Sequence, residues 1–199
     1  MAQRYCIFDT EYTTWADARV NHWGRDGYHK EILQIAAAVV TVGEAWESFP
    51  KFNVLVKPVL NPVVSDYAAE LTGITNEKLA REGLSMAEAL AQMAAFVGGL
   101  TCYSNGMDIN VMAETCGLQK VVMPLEVGNF RSLSEPLYVE LFKRFTFERS
   151  AYPSGRIHEL MEIPLVGGLG QVHDAMRDVW SIHVALEWLR ADGAVVIQA

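Results

Sequence analysis

The chain has 199 residues, of which 51% are hydrophobic and 20% charged, with a formal net charge of −8. At ~100–200 residues per domain this predicts one domain over residues 1–190 with a tail over 191–199, a sizeable core and no intrinsic disorder. The acidic balance excludes a general electrostatic grip on nucleic acid, which needs a basic face.

The longest apolar stretch, residues 35–42, is far short of the ~20 residues that span a bilayer, so no membrane segment is expected. Residues 1–20 carry Arg4, Asp9, Glu11, Asp17 and Arg19. They do not read as the apolar run of a secretory signal. Cys6, Cys102 and Cys116 are odd in number and lack CxxC spacing. A disulfide framework or zinc knuckle is not expected, and a reducing cytoplasm is the simplest location.

Residues 4–10 form a short apolar run with Tyr5, Cys6, Ile7 and Phe8, which predicts a buried strand. Residues 12–30 are polar and aromatic, with Gly24 and Gly27. A loop of that length is usually functional or mobile. Residues 31–42 and 52–56 read as strands, the second ended by Pro58 and Pro62. Short helices are predicted over 64–71 and 76–81, around Thr72-Gly73. Ser85 and Glu88 make a capping box, after which Met86, Leu90, Met93 and Val97 share a helix face. Residues 101–104 predict a brief strand, and 108–116 a helix stopped by Gly117. A second capping box, Ser132 to Glu135, predicts a helix that turns Leu137, Leu141 and Phe145 inward. The last helix is expected over 175–189, with Met176, Trp180, Val184 and Trp188 as its apolar row and His183 in the core. Strands come first, with helices later and between them. The expected fold class is α/β, a central mixed sheet flanked by helices. The tail is left as loose or as an added strand.

Three acidic features carry the chemistry. Asp9 and Glu11, in Phe8-Asp9-Thr10-Glu11-Tyr12-Thr13, leave the first strand on the same side. Like charges that close require a raised pKa or a cation between them, and oxygen ligands suit Mg²⁺ or Mn²⁺. A solvated strand end fits the same triplet. Asp108 follows Ser104-Asn105-Gly106-Met107, where a helix begins. Helix capping is its plain alternative. His173 and Asp178 are five residues apart, ~140° on a straight helix, and would not share a face. With Asp174 as N-cap, His173 falls in the loop before the helix and both can address one cleft.

In combination these features resemble the DEDDh 3′-to-5′ exonucleases of the DnaQ-like superfamily, which have a ribonuclease-H-like fold. Glu31-Ile32-Leu33-Gln34-Ile35 looks like the family's second strand, and Leu71-Thr72-Gly73-Ile74-Thr75 like its L-T-G-I-T segment. The motif style is similar to the RNA-trimming branch and also to proofreading subunits. The resemblance implies that Asp9 bridges two divalent metals, Mg²⁺ or Mn²⁺. It implies that Glu11 and Asp178 complete one site, that Asp108 serves the second partly through water, and that His173 is the general base. Thr13, Trp15 and Leu71 match substrate-contacting positions. The expected partner is the 3′ end of single-stranded RNA or DNA, with no membrane and with a homodimer left open. The ions then supply the positive field that the polypeptide lacks.

Other readings are weaker. His158-Glu159-Leu160-Met161-Glu162 lacks the second histidine of a zinc-protease helix. Gly167-Gly168-Leu169-Gly170 reads as a flexible loop before His173, and Tyr103 as a core residue rather than a base-stacking one. Lys143, Arg144, Arg149 and Arg156 are interleaved with Glu140 and Glu148 and predict a mixed solvated face rather than a phosphate track. The competing class is a non-catalytic binding module on the same fold.

Overall fold

A computed structural model describes residues 2–21 and 27–197. Five strands form one sheet: β1 (Arg4–Tyr12), β2 (Ile32–Thr41), β3 (Lys51–Leu55), β4 (Cys102–Ser104) and β5 (Phe130–Ser132). Their order is β3-β2-β1-β4-β5. β1 is antiparallel to β2, and β2 to β3, whereas β4 is parallel to β1 and to β5. The mixed sheet is therefore as expected. α1 (Ala18–Asn21) follows β1. Between β3 and β4 lie α2 (Asp66–Thr72), α3 (Asn76–Glu82) and α4 (Met86–Val97). α5 (Asp108–Gln119) links β4 to β5, and α6 (Ser134–Phe142) and α7 (Ala175–Ala191) complete the chain.

β1 lies at the centre, so both of its faces are covered. Tyr5 and Ile7 pack with Leu137 of α6 and Val179 and Ile182 of α7. Cys6 and Phe8 pack on the opposite face with Leu90 of α4 and Met112 of α5. A strand buried on both faces reads as a continuous apolar run rather than an alternation. The Ser85–Glu88 capping box closes at both hydrogen bonds, and Met86, Leu90, Met93 and Val97 are all buried. The three cysteines are buried and free. Among the described residues no helix is long and apolar enough to cross a membrane.

Several boundaries differ from expectation. β1 continues to Tyr12 because Glu11 pairs with Gln34 of β2. α5 runs through Gly117 to Gln119, and the turn-over falls instead at Lys120, with φ 55. Gly117 faces open space, so nothing there ends the helix. The second capping box does not form. Ser132 pairs with Ser104 as the end of β5, and α6 starts at Ser134 with no side-chain cap. Phe145 lies beyond α6 but still packs on the core. α7 is buried nearly all round its first turns rather than along one row, while Val184 and Trp188 are only half-buried. His183 and Trp180 are buried, as expected. The tail adds no strand through residue 197. Ala194, Val196 and Ile197 lie against the core. Gly24 lies outside the described residues.

Candidate active site

β1 delivers the first two acids. Asp9 and Glu11 project from its carboxyl end and are 7% and 8% exposed. β4 runs parallel beside β1, so its exit reaches the same end of the sheet. Asp108 lies there as the first residue of α5, while Met107 occupies the cap position. Its carboxylate is turned to β1 instead: Oδ1 accepts the Thr10 N–H at 3.0 Å and the Thr10 hydroxyl at 2.8 Å. That is a positioning contact, and it replaces the capping alternative.

α7 brings the rest. Asp174 is its N-cap, with Oδ1 accepting the Met176 N–H at 2.9 Å. His173 therefore falls in the preceding turn, with φ 67, and Asp178 in the first turns of the helix. Gln34 of β2 fixes the start of this helix. Its Oε1 accepts the Ala175 N–H at 3.2 Å and its Nε2 donates to Asn53 Oδ1 at 3.0 Å. Ligand atoms of Glu11, His173 and Asp178 all lie within 4.8 Å of one another. Asp9, Glu11, Asp108, His173 and Asp178 together line a cleft of about 220 Å³, with Leu71 and Tyr67 of α2 on its rim.

The electrostatics are those of crowded acids. Burial holds the Asp9 and Glu11 carboxyls well above their usual range, and the neighbouring Asp108 and Asp178 charges add to the rise. Burial and the charge of Asp108 push Asp178 up to about 8. Burial also raises Asp108, against the opposing hydrogen bonds from Thr10 and Ser104. In addition, Asp178 Oδ1 is buried without a hydrogen-bond partner among the described residues. A buried carboxylate oxygen with no donor is costly unless a cation faces it. The donor set is hard oxygen, which fits a divalent ion of the Mg²⁺ or Mn²⁺ type.

Not every expected residue reaches the cleft. Leu71 does. Thr13 is turned inward: its hydroxyl donates to His29 O at 2.6 Å and accepts the Glu31 N–H at 2.9 Å. It is 2% exposed and fastens the loop. The Trp15 ring lies flat on Tyr28, 3.9 Å between centroids, and does not line the cleft. Tyr103 packs edge-on against Tyr5 but is only half-buried, against the core rather than within it. The basic segment is a mixed face, since Lys143 and Arg144 pair with Glu140, and Arg156 with Glu159. Gly155 was not foreseen. It is the second residue of a short 3₁₀ run (Ser154–Met161), and a Cβ built on it falls 2.3 Å from Asp178 Oδ1. Only a bare α-carbon admits Asp178 to the cleft.

The model of the RNase T exonuclease family matches residues 6–183. The chain belongs to this family. Among solved structures, the nuclease domain of 3′hExo, a DEDDh family member bound to rAMP, is similar at 18% identity and TM-score 0.75, over 96% of this chain and 94% of that one. Cell-death related nuclease 4 is similar at 21% identity and TM-score 0.76, over 96% of this chain and 64% of that one. Exonuclease I of E. coli, in complex with a dA16 oligonucleotide, is similar at 15% identity and TM-score 0.61, over 95% of this exonuclease chain and 41% of that one. No curated protein sequence gives a significant match. The fold is thus ribonuclease-H-like, as the motifs implied.

Proposed function

We propose that this exonuclease is of the DEDDh type and hydrolyses single-stranded nucleic acid from its 3′ end, RNA in preference to DNA, releasing nucleoside 5′-monophosphates. The observation that carries this reading is the convergence of Asp9, Glu11, Asp108 and Asp178, from three separate elements, with His173 in one cleft. Asp9, Glu11, Asp108 and Asp178 would hold two divalent ions, Mg²⁺ or Mn²⁺. Such ions, when bound, supply a positive field that lowers the pKa of water and stabilises a departing oxygen.

The chain's own residues do the rest. His173 presents a ring nitrogen beside the Glu11 and Asp178 carboxyls, where an imidazole can take the proton of the attacking water. The water oxygen bonds to phosphorus as the phosphorus–oxygen bond to the 3′-oxygen of the penultimate nucleotide breaks, and that oxygen takes a proton from solvent and leaves as a hydroxyl. Leu71 and Tyr67, one helical turn apart on α2, offer an apolar wall for the terminal base. Thr10 orients Asp108, and Gly155 admits Asp178.

The test is a degradation ladder on 5′-labelled RNA and DNA of one sequence, with and without chelator. Stepwise shortening from the 3′ end, abolished by chelator and faster on RNA, supports the reading. Faster digestion of DNA favours a proofreading-type enzyme. No digestion of either by the metal-supplemented protein leaves the binding module.

A further inference from the structure

The loop that carries His173 is held by a side chain that the proposed chemistry does not use. Gln171 lies two residues before His173, and its Nε2 donates to Glu70 O and to Leu71 O, both at 2.9 Å. Both partners are carbonyl oxygens, so only the NH₂ edge of the amide fits there. The amide of Gln171 lies against Gly73, where α2 ends with φ 73; a Cβ built at Gly73 would touch that amide at 3.7 Å. On the other side, Gln171 O accepts the Asp174 N–H at 3.1 Å and closes a four-residue turn. His173 is the third residue of that turn, in the left-handed region that costs a side-chain-bearing residue about 1 kcal/mol or more. A strained turn next to Gly167, Gly168 and Gly170 persists only where neighbours hold it. Arg177 also reaches back, donating to Gly170 O at 3.4 Å.

We propose that Gln171 is a positioning residue that fastens the His173 turn to the end of α2, so that the helix face receiving the terminal base and the turn carrying the proton acceptor move as one unit. This rests on the exonuclease reading above. The carbonyl that Gln171 grips belongs to Leu71, the residue whose side chain faces the cleft. A base seated on Leu71 then stabilises the same helix end that orients His173. The two hydrogen bonds are exposed. Exposed bonds trade with water and add little to global stability, so their consequence is local.

The experiment compares Gln171→Glu, which keeps the shape but loses both donors, with Gln171→Lys, which restores a donor. We expect Gln171→Glu to lower kcat about 10- to 100-fold, the scale of a misplaced catalytic group, with KM, Mn²⁺ affinity and Tm unchanged. Gln171→Lys should recover most of the loss. Combined with Leu71→Ala, Gln171→Glu should lose less than the product of the single losses. Amide hydrogen exchange over residues 170–174 should quicken in Gln171→Glu while α7 keeps its protection. Wild-type kcat in Gln171→Glu, or a raised KM with kcat intact, overturns the proposal. If the wild-type protein digests nothing, the exonuclease reading fails, and exchange unchanged by Gln171→Glu then separately removes the tether.

Discussion

Gly155 and Asp178 approach so closely that one methyl group cannot stand between them: a Cβ on Gly155 would lie 2.3 Å from the Asp178 carboxylate oxygen. The short 3₁₀ run and α7 are thus pressed together at the one place where the helix presents its acid to the cleft. Gly155→Ala should push Asp178 aside. We expect at least a 10-fold loss of kcat and weaker Mn²⁺ binding by calorimetry, with the fold intact by circular dichroism. Unchanged Mn²⁺ affinity would mean that the acid has room to stay.

His173→Asn should cut kcat about 10²- to 10⁴-fold, the usual contribution of a general base, and leave Mn²⁺ affinity unaltered. Calorimetry checks the second half. Its nitrogen lies within 4.8 Å of oxygens from Glu11 and Asp178, so a parallel loss of metal binding would make the imidazole a ligand.

The crowded acids set a pH dependence with a definite sign. Asp178 is raised from 3.8 to about 8 in the folded state. Between those values the folded protein holds a proton that the unfolded chain releases, so stability falls as pH rises through the window. The shift of about four units caps this loss at about 6 kcal/mol. The Tm of chelated protein should therefore drop from pH 5.5 to 8, and Asp178→Asn should be more stable at pH 8 but inactive. Mg²⁺ should flatten the profile, because a bound cation favours the charged acids. A chelated Tm that climbs toward pH 8 would contradict the crowding.

His183 gives a separate slope of opposite sign. It is packed against Trp46 and Phe49, and burial lowers it to about 4. The unfolded chain protonates it near pH ~6.5, so stability is lost as pH falls from 6.5 toward 4. The ceiling is about 3 kcal/mol. His183→Phe should lose less Tm than wild type over that range, and equal losses would show that another group governs it.

Much of this architecture was legible because the signals were local. Asp9 and Glu11 needed only strand alternation, and Asp174 as N-cap resolved the spacing of His173 and Asp178. Ser85 and Glu88 formed their box because Ser85 precedes a helix with no strand to claim it. Ser132 carried the same motif, but its backbone pairs with Ser104, and β5 is only three residues long, two of them polar. No periodicity shows in three residues. Gly155, the inward turn of Thr13 and the grip of Gln171 on α2 are contacts between distant segments, and no spacing in the chain encodes them.

One further consequence concerns the excursion between β1 and β2. Thr13 is bonded to His29 and Glu31. Glu31 in turn takes the backbone N–H groups of Val59, Leu60 and Asn61 at 2.7, 3.0 and 2.6 Å. With Trp15 stacked on Tyr28, the chain leaves and re-enters the sheet through a closed collar. The collar ties the carboxyl end of β1, where Asp9 and Glu11 stand, to the start of β2 and to the segment 59–61. Glu31→Ala would leave three consecutive backbone N–H groups without their shared acceptor, so damage at one side chain remote from the cleft would reach the strand end that carries its acids.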